Sequence, residues 1–536
     1  MDPDWFPAKS RAGISAYVQG DYAEAARCFA EMLAAMPGHP AARINLANAY
    51  WALKDYPAAA LHAEIALGND PGSVEAWMIT GAVRLDRGEA GAVEAYAAAV
   101  ALQPERAGAH AGLAAAMLAS GDNAGAQRQA EAALRLAPGD AHARFTLGCA
   151  KLQQRRAAAA LVIFDALIAA EPGHARARHN RANALIDLNR LAEAGTELHA
   201  CLGVDPGLKE AWATLGYLLT IEGALPAAIA ACDRAIALDA DFAVGQWNRG
   251  VALLLNGDFA AGFAAYEWRK RHPVLRHCFT PLPAPPWQGE ALLGRHLLVR
   301  AEQGFGDTIM LARFLPKLTA AARVTLCCPE RLFPLFQHMD VTLLALDAPM
   351  PAADYAVDQM SLPHVLRLTE ASIPDAAGYL RADAARRIRL PEGPCVGLVW
   401  AGNAAHDNDA RRSLPVGALA PLITLGGLNF VGLQIGARQG EYPIYDAAGG
   451  IRDYGDTAAV ISQLNAVVTV DTSVAHLAGA LGVACHVLLS AACDWRWRLG
   501  REDTAWYKSL KLHRQQRLDD WSGPIAGVVA ALRRIG

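Results

Sequence analysis

Val467-Val468-Thr469-Val470-Asp471-Thr472-Ser473-Val474-Ala475-His476-Leu477-Ala478-Gly479-Ala480-Leu481-Gly482 passes from a β-branched apolar run to an alanine-rich one across three polar residues. The first four residues predict a buried parallel strand. Asp471, Thr472 and Ser473 are all N-cap types, and Val474 to Leu481 predicts a helix that Gly482 stops. A strand that turns straight into a helix aims free backbone N–H groups and the positive dipole end at one spot. Such a spot suits an anion, above all a phosphate. His476 lies one turn into the helix and can add a donor. An ordinary βα corner with a capping Asp and a half-buried His has the same sequence; other parts of the chain favour the phosphate site.

Working outward, the second half alternates strands and helices, an α/β pattern. Leu297–Val299, Val324–Leu326 and Tyr355–Val357 read as strands, and Ile309 to Leu318 as a helix. Glu302-Gln303-Gly304-Phe305-Gly306-Asp307 is a glycine-containing turn after the first strand, where open α/β sheets place ligands. Asp307 at a helix start stays ionised and can take a proton from an attacking hydroxyl. Glu302 is a rival for that role, and an N-cap Asp after a glycine turn is the plain alternative.

Cys395 to Trp400 opens a second unit and runs into the polar loop Ala401-Gly402-Asn403 to Leu414, whose Arg411 or Arg412 can fork onto a phosphate. Asp407-Asn408-Asp409 matches a three-residue metal motif, but basic groups and helix ends suffice for a phosphate, and the expectation is no metal. Phe430 to Gln434 is a further strand and Thr457 to Leu464 a helix. The aromatic cluster Asp494-Trp495-Arg496-Trp497 with Trp506-Tyr507 reads as domain packing. The closing helix, Ser522 to Arg534, is expected to cross back to the first lobe.

The first half is periodic. A turn recurs at Gly20, Lys54, Gly88, Gly121, Arg155, Asn189, Gly223 and Gly257, in steps of 34 residues with a single 33. A small residue sits seven positions before each turn, as at Gly13, Gly81 and Gly148, and lets two helices approach closely. Nine positions before the turns stand Arg11, Asn45, Ile79, Gly112, Thr146, Asn180, Thr214 and Asn248. Facing a groove, Asn45 and the last four would make a ladder for an extended peptide backbone. Alternatively, a small polar residue merely fits the space between helices. Stacked units of this kind bury their apolar faces only against one another.

Composition narrows the partners. A net charge of -4 gives no electrostatic case for nucleic acid. No uncharged run approaches the roughly 20 residues that span a bilayer. Met1-Asp2-Pro3-Asp4-Trp5 has no apolar h-region, so no secretory signal is expected. Ten cysteines without a CxxC fit reduced thiols and a cytoplasmic location.

The repeats resemble the tetratricopeptide repeat, and the ladder resembles that of eukaryotic O-GlcNAc transferase. The second half resembles the GT-B glycosyltransferases related to bacterial ADP-heptose transferases (family 9-related), on Gly306-Asp307 and on Asp471-Thr472-Ser473-Val474-Ala475-His476, where Ser473 replaces the usual Gly. The marks Glu302–Asp307, Trp400-Ala401-Gly402-Asn403 and Asp494–Trp497 are similar to bacterial proteins that join tetratricopeptide repeats to such a transferase, flagellin glycosyltransferases among them. The resemblance implies an α-solenoid over 1–272, a Pro-rich linker over 273–294, a first Rossmann-like lobe over 295–391 and a donor-binding lobe over 392–536. It implies a catalytic Asp307 or Glu302, and donor contacts from Gly304, Gly306, Trp400, Gly402, Asn403, Arg411, Arg412 and Gln434 besides Asp471, Thr472, Ser473 and His476.

Three functions fit. The chain is an inverting glycosyltransferase moving a sugar from a nucleotide-sugar (a CMP-linked nonulosonic acid, or a UDP- or ADP-sugar) to a protein Ser or Thr, with flagellin the first acceptor. Or it extends a lipopolysaccharide or other glycan, or it is a repeat scaffold with an inactive transferase domain. The short first lobe favours a protein acceptor held by the repeats. No other cofactor is expected. A cut near Pro273 is expected to leave a fragment that still binds nucleotide.

Overall fold

A computed structural model of the protein describes residues 4–320, 322–374, 378–404 and 408–535. It divides into two compact units, Met1–Pro206 and Gly207–Gly536.

The first unit is helical, from Trp5–Val18 to Leu191–Val204, in successive pairs. All eight expected turn residues of the chain have positive φ, Gly20 at 82°, Lys54 at 62°, Arg155 at 60° and Asn189 at 59° among them. The left-handed conformation at this one position reverses the chain, and non-glycine residues adopt it at a cost of about 1 kcal/mol. Asp21, Asp55 and Asp122 follow the turns and cap the next helix, accepting from the N–H of Glu24, Ala58 and Gly125. The small residues have a steric reason. A Cβ on Gly81 would lie 2.6 Å from the Tyr96 ring, and one on Gly148 2.6 Å from Phe164.

A second device recurs at the start of the first helix in five successive pairs. Arg43, Trp77, His110, Arg144 and Arg178 donate a side-chain N–H to the carbonyl of the proline six residues earlier, at 37, 71, 104, 138 and 172. Gln246 does the same to Ala240 in the second unit.

The second unit holds the last two helix pairs, Lys209–Ile221 with Leu225–Leu238 and Ala243–Asn256 with Phe259–Tyr266, and then two parallel sheets. The first sheet comprises β1 (Arg295–Arg300), β2 (Ala322–Cys327), β3 (Thr342–Leu344) and β4 (Tyr355–Asp358), in the order β3-β2-β1-β4. The second comprises β5 (Cys395–Val399), β6 (Asn429–Gly432), β7 (Tyr445–Asp446), β8 (Ala466–Val470), β9 (Cys485–Leu489) and β10 (Leu510–Arg514). Its order is β10-β9-β8-β5-β6-β7, and every pair is parallel. Counted from its own first strand this is 3-2-1-4-5-6, the doubly wound order, whose connections diverge between β5 and β8. In the first sheet they diverge between β1 and β4.

Several elements differ from expectation. The helix expected over 309–318 begins at Phe305 and breaks after Leu311; Pro316 starts a separate short helix, Leu315–Thr319. The helix expected from Thr457 starts at Tyr454, because Asp453 caps it through the N–H groups of Gly455 and Asp456. The closing helix, Ser522–Leu532, does not cross to the first sheet. Its Ile525, Val528 and Leu532 pack with Val396, Leu398 and Val468 on the second and with Leu422 of the short helix Ala420–Ile423.

The last helix pair is part of the α/β core. Phe259, Phe263 and Tyr266 share one buried cluster with Trp495, Trp506 and Tyr507. The Phe263 ring meets Trp495 edge-on at 5.5 Å, and Phe259 stacks on Trp506 at 6.2 Å. The aromatic run thus packs elements together, as its composition suggests. Trp287, between the repeats and β1, is buried and donates its backbone N–H to Ala356 of β4.

Candidate functional site

The carboxyl ends of β5 and β8 deliver Trp400–Gly402 and Asp471–Ser473 to the divergence point of the second sheet. Val470 ends a wholly buried strand, and Thr472 then caps the Ser473–Leu481 helix, its hydroxyl accepting from the N–H of Val474 at 3.3 Å. Thr469 fixes that hydroxyl from behind at 2.9 Å. The first sheet delivers Glu302 to Asp307 from the end of β1.

These two corners meet. A Cβ on Gly306 would lie 2.7 Å from His476 Cδ2 and 3.4 Å from Ser473 Cα, so only glycine permits this approach. Beside them the Phe305 ring meets Tyr454 edge-on at 5.1 Å, and the Tyr454 hydroxyl lies 2.6 Å from Ser473 Oγ. Asp307 pairs with Arg496, and its other oxygen accepts the Gly304 N–H at 3.1 Å. Arg496 also holds Asp494 at 2.7 Å and lies over the Trp495 ring at 4.2 Å. Gly304, Gly306, Asp307, Ser473 and His476 are therefore brought together, with Asp471 and Thr472 on the same corner.

Charge in this place is tuned by burial. Burial pushes the Asp471 carboxyl up to about 6, Asp494 adding to the rise while Arg412 and Arg496 oppose it. Burial also raises Asp307, against the pull of Arg496. His476 is 4% exposed, stacked on Trp497 at 5.2 Å and 3.1 Å from the Tyr507 hydroxyl. Burial, then Arg496 and Arg313, hold it well below the ordinary histidine range, so it is neutral at pH 7. It is a neutral hydrogen-bonding group, not a cation.

Glu302 is placed differently from Asp307. Its side chain is fully buried, paired with the equally buried Arg269 at 2.8 Å and accepting the Met360 N–H at 3.2 Å. Burial pushes it up to about 7 despite Arg269. It ties the last repeat to the first sheet.

In the loop after β5, Arg412 folds over Gly402, where a Cβ would lie 2.6 Å from its Nε, and its charge reaches Asp471. Arg411 turns towards the Tyr217 hydroxyl at 3.5 Å. Asn403 is exposed at the loop's edge. Asp409 accepts from Arg412 at 3.3 Å and from Ser413 at 3.0 Å. Asp407 lies outside the described residues. The Trp400 ring is 1% exposed in the core behind β5, its Nε1 donating to Glu441 at 3.1 Å; only its backbone is at the crevice. Gln434 is buried too, and its Oε1 accepts the N–H groups of Trp400 and Ala401 at 3.1 and 2.9 Å. It shapes the loop from beneath.

The ladder is uneven. Thr146 is 2% and Asn248 8% exposed, and Asn248 donates to the Ala213 carbonyl at 3.1 Å. Asn180 donates to Cys149 Sγ at 3.1 Å. Asn45 and Thr214 are half-buried. At Asn180 and Asn248 the side chain binds one helix to its neighbour.

Sequence reasoning missed Arg496, Asp494 and Tyr454 as members of the site. A paired Asp and Arg inside a tryptophan run was the available signal, because burying such charges requires partners.

Tetratricopeptide-repeat models match residues 10–74 and 116–175, and a second such model matches 151–218. Protein FlbA of Caulobacter vibrioides is 28% identical over 353 residues, 58% of this chain, and the chain covers 59% of that relative's length. A tetratricopeptide repeat protein from Parabacteroides merdae aligns with 47% of this chain and 99% of its own, at 13% identity and a TM-score of 0.39. A thermophilic one from Thermus thermophilus aligns with 34% of this chain and 99% of its own, at 21% identity and a TM-score of 0.31. No helix among the described residues is long and apolar enough to cross a membrane. The chain carries tetratricopeptide repeats, followed by a region of two parallel-stranded sheets.

Proposed function

We propose that the two sheets form a GT-B-type glycosyltransferase, inverting in stereochemistry, that moves a sugar from a nucleotide-sugar to a Ser or Thr of a protein recruited by the repeats. The observation that carries this reading is the meeting of two divergence-point corners, a helix N-terminus beginning at Ser473 and a glycine turn bearing Asp307. The helix end and Arg412 suit the donor's phosphate, on which negative charge grows as the sugar leaves. Asp307 suits the general base. It takes the proton of the acceptor hydroxyl while the new bond to the sugar carbon forms and the bond to phosphate breaks. Glu302, paired in the interior, is the poorer candidate.

Flagellin as acceptor and a CMP-linked nonulosonic acid as donor follow from the resemblance of the motifs. A thermal-shift screen of the full chain against UDP, ADP, GDP and CMP tests the reading. A ligand at 100 times its dissociation constant adds about 2.7 kcal/mol. Stabilisation by none of the four would end it. Transfer to flagellin, slowed about 10²- to 10⁴-fold in Asp307→Asn with nucleotide affinity retained, would complete it.

A further inference from the structure

We propose that Arg496 is the positioning residue of Asp307, fixing that carboxylate in place across the junction of the two sheets; this rests on the reading of Asp307 as general base. One guanidinium spans two carboxylates, Asp307 on the first-sheet turn and Asp494 on its own segment. With one oxygen on Arg496 and the other on the Gly304 N–H, the plane of the Asp307 carboxylate is set. The guanidinium is set in turn, lying over Trp495 at 4.2 Å with its side chain 8% exposed.

Trp495 is itself wedged. The rings of Phe263, Tyr266 and Trp506 meet it edge-on at 5.5, 6.1 and 6.1 Å. The Tyr266 hydroxyl then bonds Gln303 on the turn that carries Asp307, at 3.3 Å. Base and guanidinium are thus referred to the same repeat helix, so neither can drift without the other. Packing alone needs no charge at this position. A bridge between two carboxylates needs a planar fork, which arginine has and lysine lacks.

Besides Arg496, the groups that face Asp307 are Asp494, whose like charge raises it, the neutral Tyr266 and the Gly304 N–H. Asp471 and the neutral His476 lie next to these. Arg496 is the nearest positive charge in this set. Its loss raises the pH at which Asp307 ionises, and a base works only when ionised.

The test uses the full chain carrying Arg496→Gln or Arg496→Lys, assayed as CMP release from a CMP-linked nonulosonic acid with flagellin, across pH. In Arg496→Gln the acid limb of the rate profile is expected to move up by about 1 to 3 pH units. In Arg496→Lys the limb should return towards wild type while the plateau stays low, since one ammonium cannot hold both carboxylates in plane. CMP affinity should stay within about twofold in each. If Arg496→Gln does not fold, the lysine variant carries the test through its lowered plateau. An unmoved limb in Arg496→Gln, or a lysine variant equal to wild type in limb and plateau, overturns the proposal. Should Asp307→Asn transfer at the wild-type rate, it is the assignment of the base that has failed.

Discussion

Arg269 and Glu302 are joined at 2.8 Å with neither side chain reaching solvent. Arg269 also holds Glu267 at 2.6 Å and Ser361 at 2.9 Å, so one guanidinium binds the end of the last repeat to the turn below β4. Removing one partner leaves a buried charge uncompensated, which costs about 3–5 kcal/mol. Arg269→Met is therefore expected to lower stability by that amount in chemical denaturation. Adding Glu302→Leu should recover more than half, because the orphaned carboxylate goes with it.

The same contacts govern where the chain can be cut. A cut near Pro273 strips Phe259, Phe263, Tyr266 and Arg269 from the α/β core and exposes Trp495 and Trp506. Contrary to the expectation from sequence, a 273–536 fragment should be insoluble or melt without a cooperative transition. A 207–536 fragment keeps those residues and should unfold cooperatively by circular dichroism.

His476→Ala should do more than weaken nucleotide binding. The ring is stacked on Trp497 and hydrogen-bonded to a buried tyrosine, so truncation leaves the Tyr507 hydroxyl without this partner. A loss of about 1–3 kcal/mol is expected without any ligand. A melting temperature equal to wild type would mean that the ring is not held as described.

The share of stability that depends on His476 and His513 should fall on acidification below about pH 6.5, while the raised carboxyls of Glu302 and Asp471 act in the opposite sense. His476 is held well below that value and His513 down to about 4, by burial first and then by its neighbours His486 and Lys511. Below 6.5 the unfolded chain binds protons that the folded chain refuses. The associated stability is thus complete above 6.5 and is lost as pH drops, by up to about 1.4 kcal/mol per pH unit for each group. For His513 the loss ends near pH 4. Measured from pH 7.5 to 4.5, the melting temperature of the wild type should drop relative to that of His513→Gln, a difference that cancels the carboxyls common to both.

What the sequence made legible was whatever repeats or lies close along the chain. The turn residues at a 34-residue spacing marked the eight left-handed turns between paired helices, and apolar runs marked the interiors of β1, β5 and β8 because strands buried on both faces are mostly apolar. Asp471 to His476 was readable as a phosphate corner because strand, cap and helix are contiguous. The pairing of Arg496 with Asp307 was not, since 189 residues separate them. Trp400 and Gln434 sit at the correct strand ends, yet a sequence does not tell which way a side chain leaves a loop, and both turn inward. The site's electrostatics were hidden for the same reason: burial, which sets the ionisation of Asp471 and His476, is a property of the whole fold.

Lys54 offers a last measurable case. It holds the left-handed turn position that glycine fills in five of the eight repeats, at φ 62°. Lys54→Gly should raise stability by about 1 kcal/mol in denaturant titration, the relief of strain exceeding the added freedom of the unfolded chain.

The side chains that reach back to the carbonyl six residues earlier differ in kind: Arg43, Trp77, His110, Arg144, Arg178 and Gln246. What the repeats share there is a hydrogen to give, not a letter of the alphabet. Mutation is therefore free to wander among guanidinium, indole, imidazole and amide while the helix start stays anchored, and is barred only from side chains that give none. A repeat of this sort can lose its spelling long before it loses its shape. The recurring matches to residues 10–74 and 116–218 leave helices such as Ala92–Leu102 and Ala243–Asn256 outside them, and those helices are folded like the rest.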